Sequence, residues 1–206
     1  MIKKPIHRLF FLVTLCAAPG TCLAQQQWEG GLELYGNIVP DEPFSLTPIV
    51  NYNSDLLYIE ARYNYEEMHS ASLYVGKFFS KEGKLSFDFA PLLGIVAGDL
   101  NAGSVGASIE LRLGKLQWSI LPQYTFSWNG KTENFFYSWS ELTFAASEWL
   151  YLGPAAQRTK LFESPFEVDS GMTLGFNLKQ WSMQLYCFNP WNDGRYFLIG
   201  MFYRYH

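Results

Sequence analysis

The sequence predicts an all-β chain: a closed, antiparallel, up-and-down transmembrane β-barrel of about twelve strands, with ten as the alternative count. Three observations predict it. Apolar and polar residues alternate with period two along most of the chain, which marks strands with two unlike faces. Runs such as 56–66, 84–95 and 116–128 exceed the about 5 or 6 residues of soluble strands and match the about 9 to 11 of a tilted membrane-spanning one. Composition completes the picture. Only 17% of the 206 residues are charged and 18% are aromatic, against roughly 25% charged in average soluble domains. So many aromatics exclude a disordered chain. After the first two dozen residues, no run reaches the about 18 apolar residues of a spanning helix. A net charge of −4 leaves no basic footprint for nucleic acid.

The first element, residues 1–24, reads as a secretory signal peptide. Lys3, Lys4 and Arg8 make a positive start, Leu9 to Ala18 an apolar core, and Cys22-Leu23-Ala24 a small-residue cleavage site near Ala24. That core is too short for a transmembrane helix. The leader holds three of the 15 Lys and Arg and none of the 19 Asp and Glu, so the remaining chain, 25–206, is a single domain at net −7. It keeps one cysteine, Cys187, and so no internal disulfide.

The strands follow at 28–38, 45–52, 56–66, 70–79, 84–95, 104–113, 116–128, 134–146, 149–158, 167–178, 181–188 and 195–206. In 56–66 one face is Leu57, Ile59, Ala61, Tyr63 and Tyr65, the other Tyr58, Glu60, Arg62, Asn64 and Glu66. In 104–113, Val105, Ala107, Ile109, Leu111 and Leu113 oppose Gly106, Ser108, Glu110 and Arg112. In 116–128, Trp118, Ile120, Tyr124 and Phe126 oppose Gln117, Ser119, Gln123 and Thr125. Alternation alone does not say which face is inside. The leader, the strand lengths, aromatics near strand ends (Trp28, Tyr65, Trp128, Trp181) and a polar face of small residues favour apolar-out, as in a membrane barrel. Short links at 53–55, 114–115, 147–148 and 179–180 alternate with longer ones, the expected asymmetry of turns and outer loops. Pro48 weakens the second strand, and slipping alternation at 139–156 with Pro154 predicts a bulge or a miscounted strand.

The last strand resembles the C-terminal assembly signal of bacterial outer-membrane barrels. Gly200, Tyr203 and Tyr205 carry the likeness, and His206 is one residue beyond the pattern. Tyr58 to Glu66, Asn134 to Leu142, and Gln157-Arg158-Thr159 are similar to segments of small uncharacterised outer-membrane barrels of Gram-negative bacteria. The resemblance implies that fold, the bacterial outer membrane as location, and membrane lipid and the barrel assembly machinery as partners. It implies no activity.

The inward face is the candidate site. Its charged lining would be Glu60, Arg62, Glu66, Asp88, Glu110, Arg112, Glu141, Arg158, Asp169 and Arg204, with Glu29 and Glu33 beside them. Two readings stand: a selectivity lining, with its acid excess favouring small cations or other small solutes, or charges that pair and fill a tight lumen. Glu60 with Arg62, and Glu110 with Arg112, already mix signs. Glu141 and Arg158, on neighbouring strands, are a candidate ion pair. The twelve-stranded porins for acidic oligosaccharides are a natural comparison, but their lumen should be basic. The reading is a narrow passive channel or a structural membrane protein. One alternative is a rim-active lipid hydrolase using His69 and Ser70, although no G-x-S-x-G surrounds a serine. The other is a soluble secreted β-barrel for an apolar ligand. No phosphate loop, zinc spacing or cofactor motif is present, so no metal and no cofactor is expected.

Overall fold

The structure, a computed structural model, describes residues 29–54, 57–161, 165 and 167–205. The expected leader, Trp28 and His206 lie outside the described residues. Thirteen strand segments follow one another: β1 (Glu29–Ile38), β2 (Ser45–Asn53), β3 (Tyr58–Tyr63), β4 (Ala71–Gly76), β5 (Phe79–Lys81), β6 (Leu85–Ala97), β7 (Ala102–Leu113), β8 (Leu116–Ser127), β9 (Phe135–Ala145), β10 (Leu150–Leu161), β11 (Glu167–Leu178), β12 (Trp181–Phe188) and β13 (Tyr196–Tyr205). Each pairs antiparallel with its neighbours. β1 pairs with β13 and β4 with β6, so the sheet closes on itself. Both β4 and β5 pair with β6 in a single register, Gly76 opposite Leu92 and Phe79 opposite Phe89. They are two halves of one stave, and the barrel has twelve staves rather than ten.

Prolines explain the breaks. A proline has no N–H to give a ladder. The gap between β4 and β5 lies beside Pro91, the β7–β8 gap beside Pro122, and the β9–β10 gap beside Pro154. In each case the register resumes unchanged. Leu152 opposite Phe144 and Ala155 opposite Glu141 keep one frame, so the bulge expected at 139–156 is absent. One hydrogen bond is lost, but the side chains stay on their faces.

The faces divide as the alternation predicts. Leu73, Leu93, Ile95, Val105, Trp118, Phe126, Leu174, Leu185 and Ile199 point outward and are exposed. Cys187 lies on the same outward face, paired with Met172 and Phe197. Tyr74, Thr125 and Phe188 point inward and are 0% exposed. An apolar outside around a partly polar inside is the arrangement a membrane requires. Both chain ends of the barrel and the tight links at 114–115 and 179–180 lie at one end, called here the terminal end. The loops 39–44, 64–70, 98–101, 128–134 and 189–195 lie at the other, the loop end.

One inward residue departs from the period. Tyr65 was expected on the outward face as a girdle aromatic, but it packs inside, edge-on to Tyr137. β3 stops at Tyr63, and Asn64 adopts a left-handed φ of 55°. Asparagine tolerates that region. Its side chain donates to the Leu46 carbonyl, and its own carbonyl accepts from the Thr47 hydroxyl. The turn sends the next residues back into the lumen.

Candidate functional site

The candidate site is the lumen, and at mid-height it is filled. Its centre is Arg62, on the last turn-ward positions of β3. The guanidinium donates through Nε to Glu60 Oε1 at 2.5 Å, and through Nη1 to Glu66 Oε1 at 3.2 Å and Gln123 Oε1 at 2.8 Å. It lies between the rings of Tyr65 and Tyr74, 4.2 and 4.3 Å from their centroids. Glu66 also accepts from Ser72 Oγ and Tyr74 OH, both at 2.7 Å, and from Gln123 Nε2 at 3.3 Å. Glu60 takes a second bond from Tyr58 OH at 2.5 Å. The side chains of Arg62, Glu60 and Glu66 are 5%, 7% and 0% exposed. Charges this deep persist only when paired and fully hydrogen-bonded, and these are.

A second carboxylate sits across the lumen. Glu141 accepts from Trp139 Nε1 at 2.5 Å, Tyr186 OH at 2.7 Å and Gln184 Nε2 at 2.7 Å. Trp139 meets Tyr186 and Phe188 edge-on, and Phe188 stacks on Tyr196 with centroids 5.1 Å apart. A third, Glu33, accepts from Tyr35 OH at 3.0 Å and Asn51 Nδ2 at 2.9 Å. Toward the loop end, Asp169 accepts from Asn189 Nδ2 at 2.6 Å and from Gln157 Nε2 and Tyr196 OH at 3.2 Å each. Above the Arg62 knot lies a recess of about 550 Å³ lined by Tyr65, Glu66, Glu67, Asp99, Glu133 and Tyr137, with no Lys or Arg among the described residues of its wall.

At the terminal end, Arg112 pairs with Asp88 at 2.9 Å, Glu82 at 3.6 Å and Glu110. Its side chain is 40% exposed, so this cluster is hydrated and screened. Arg204 is also inward here, opposite Gly31, and exposed. Nine of the ten expected lining residues therefore face inward.

The tenth does not. Ala155, not Arg158, stands opposite Glu141, and Arg158 stands opposite Ser138 and Val168. Odd and even positions of β10 face opposite ways. Gln157 is inward, so Arg158 points outward and makes no pair with Glu141. The expectation failed because the sequence alone did not set the β9–β10 register.

What the sequence reading missed is the aromatic filling. Its signal was present: a ring with an N–H or O–H stands two residues from a glutamate on one strand face, as Glu33–Tyr35, Tyr58–Glu60 and Trp139–Glu141. In all three the ring donates to that glutamate. Same-face spacing of two makes the contact local.

The hydrolase reading finds no assembled nucleophile. His69 Nδ1 lies 3.2 Å from Asp99 Oδ2 in an exposed pair. Ser70 is fully buried and its Oγ accepts from Leu100 N, while Ser72 donates to Glu66. Among the described residues no hydrogen bond joins either serine to His69.

Compared with known proteins, the sequence matches no family model and no curated protein sequence. The fold does have relatives. The KdgM porin, solved alone and in complex with disordered oligogalacturonate, superposes with a TM-score of 0.60 at 11% identity, over 85% of this chain and 99% of that one. The NanC porin gives 0.58 at 8% identity, over 84% and 98%. OccAB4 of Acinetobacter baumannii gives 0.51 at 11% identity, over 90% of this chain and 63% of that one. The chain has the closed barrel fold of these porins.

Proposed function

We propose that this chain is an outer-membrane barrel acting as a narrow, passive, cation-favouring channel, with its waist closed by side chains at rest. Both termini and the short turns would face the periplasm, and β13, with Gly200, Tyr203 and Tyr205, would be read by the assembly machinery. The observation that carries the channel reading is the charge at the waist. Among the described residues, Glu33, Glu60, Glu66 and Glu141 face inward there against Arg62 alone, and the recess above them is lined by further carboxylates. Fixed charge in a narrow, low-dielectric passage selects ions by sign. Oligogalacturonate, the ligand of one KdgM structure, is a chain of carboxylates. An acidic waist disfavours such a polyanion here.

The experiment is conductance of the refolded protein in a planar bilayer under a salt gradient. Small discrete steps with a cation-selective reversal potential are expected. Neutralising Glu66 (Glu66→Gln) should move that potential toward zero. Anion selectivity overturns the proposal. A second reading, a sealed structural barrel, is favoured by the complete burial of Tyr74, Thr125 and Phe188 inside the lumen. A folded barrel that inserts silently would establish it.

A further inference from the structure

The barrel wall is one hydrogen-bonded ladder, closed on itself by the β1–β13 pair, so its width is fixed. Part of what fills the lumen lies outside that ladder. β3 ends at Tyr63 and β4 begins at Ala71, and the segment between them, 64–70, carries two of the groups that close on Arg62. The Tyr65 ring lies 4.2 Å from the guanidinium, and Glu66 accepts from it at 3.2 Å. Both also reach the opposite wall. Tyr65 meets Tyr137 of β9 edge-on at 5.8 Å, and Glu66 accepts from Gln123 of β8 at 3.3 Å. The segment is rooted in one wall and fastened to the other.

Its foot is fixed. The Asn64 N–H donates to the Ser70 carbonyl at 2.9 Å, which closes the segment on itself. Asn64 is tied to Leu46 and Thr47, and buried Ser70 accepts from Leu100 N. Gly98 backs onto the foot so closely that a Cβ there would collide with the His69 carbonyl oxygen. The tip is held differently. Among the described residues, the backbone of 65–68 makes no hydrogen bond to another stave. Glu67, Met68 and His69 are exposed, and the recess of about 550 Å³ lies beside Tyr65, Glu66 and Glu67. Asn64 and His69, at the two ends of the tip, are both left-handed, each with φ 55°. Hinges are a few loop residues that absorb a large backbone change, and asparagine and histidine are among the residues that visit this region most readily.

We propose that residues 64–70 are a gate on the lumen: turning at Asn64 and His69 lifts Tyr65 and Glu66 off Arg62 and into the recess. The closed state is held by side-chain bonds, since Glu66 accepts from Arg62, Ser72, Tyr74 and Gln123 together. Lifting strands no charge. Arg62 keeps Glu60 on its own strand at 2.5 Å, and Glu66 moves from a fully buried position toward exposed residues and water. The outer tie of the segment, His69 to Asp99 at 3.2 Å, is exposed at both ends and therefore weak. The gate rests on the channel reading, because it needs a passage to close.

Planar-bilayer conductance tests the two separately, in a chain carrying Cys16→Ser, Cys22→Ser and Cys187→Ser. Glu67→Cys and Glu133→Cys then place one thiol on the tip and one on the link 128–134, which joins the two staves that Tyr65 and Glu66 reach. Unlinked, this chain should open in discrete steps. A bis-maleimide with a disulfide spacer, joined across the recess, should abolish the steps, and reductant should restore them. N-ethylmaleimide on both thiols adds bulk without a link and should leave the steps. Tyr65→Gly with Glu66→Gly removes the closing groups and should give long, steady openings. Heat-modified gel mobility checks that each barrel is folded, and the cysteine pair decides the gate by itself should the glycine variant not fold. Equal openings with and without the link, or equal loss with N-ethylmaleimide, overturn the gate and leave the channel standing. Steps from the glycine variant only would make the segment a fixed plug, which also overturns the gate. Silence from every folded variant overturns the channel reading, and the gate with it.

Discussion

Replacing Arg62 with alanine is expected to destabilise the barrel by about 3–5 kcal/mol, the cost of removing one partner from a buried ion pair. The loss is not that of the contacts alone. Glu60 and Glu66 would remain in the lumen with side chains 7% and 0% exposed and no cation. The Gln123 carboxamide would lose its donor, and the rings of Tyr65 and Tyr74 would lose the guanidinium between them. Reversible urea unfolding in micelles measures this directly. A triple variant separates charge from volume. Arg62→Met with Glu60→Gln and Glu66→Gln removes the ions together and keeps the space filled, and apolar replacement of a whole buried ion pair is often neutral. The triple variant should therefore be more stable than Arg62→Ala alone. The same alanine substitution should enlarge the conductance steps, because it empties the waist. An Arg62→Ala loss below about 1 kcal/mol, the range of exposed pairs, would mean that water reaches these charges.

The barrel was legible because its information is local. Strand after strand states its two faces in period two, and the faces of β7, β8, β11 and β12 stand where that period puts them. Three things were not legible, each for a physical reason. Tyr65 depends on one left-handed residue, Asn64, that extended periodicity cannot foresee. The split of the fourth stave depends on Pro91, which is not in that stave but across from it on β6. Arg158 depends on the register between β9 and β10, which is non-local, and a one-residue slip exchanges faces. The waist was half legible. Its charged members were found on the inward parity, but several of their bonding partners are tyrosines and a tryptophan, residues that read as apolar when only hydrophobicity is counted. The glutamate-and-ring spacing of two carries that missing half.

The membrane-facing assignment makes the sharpest demand, that the cost of a charge should depend on depth. Leu174 lies mid-strand on the outward face of β11, between Leu152 and Leu185, and is 38% exposed. Leu178 is on the same face of the same strand, at the terminal end beside Trp181, and is 67% exposed. In a bilayer, Leu174→Arg should cost about 2–4 kcal/mol and Leu178→Arg about 0–1 kcal/mol, because the penalty falls from midplane to interface. The natural Arg158, near the opposite rim, obeys the same rule. A soluble barrel for an apolar ligand predicts otherwise. Its outward leucines would be ordinary surface, and both substitutions would stay within about 0.5 kcal/mol. Folding into vesicles against a urea series distinguishes the two, since the difference between the variants cancels any general effect of arginine on β11. A steep difference places the outward face in lipid. Equal small effects would turn the barrel inside out in functional terms, with its ligand in the filled lumen and water outside.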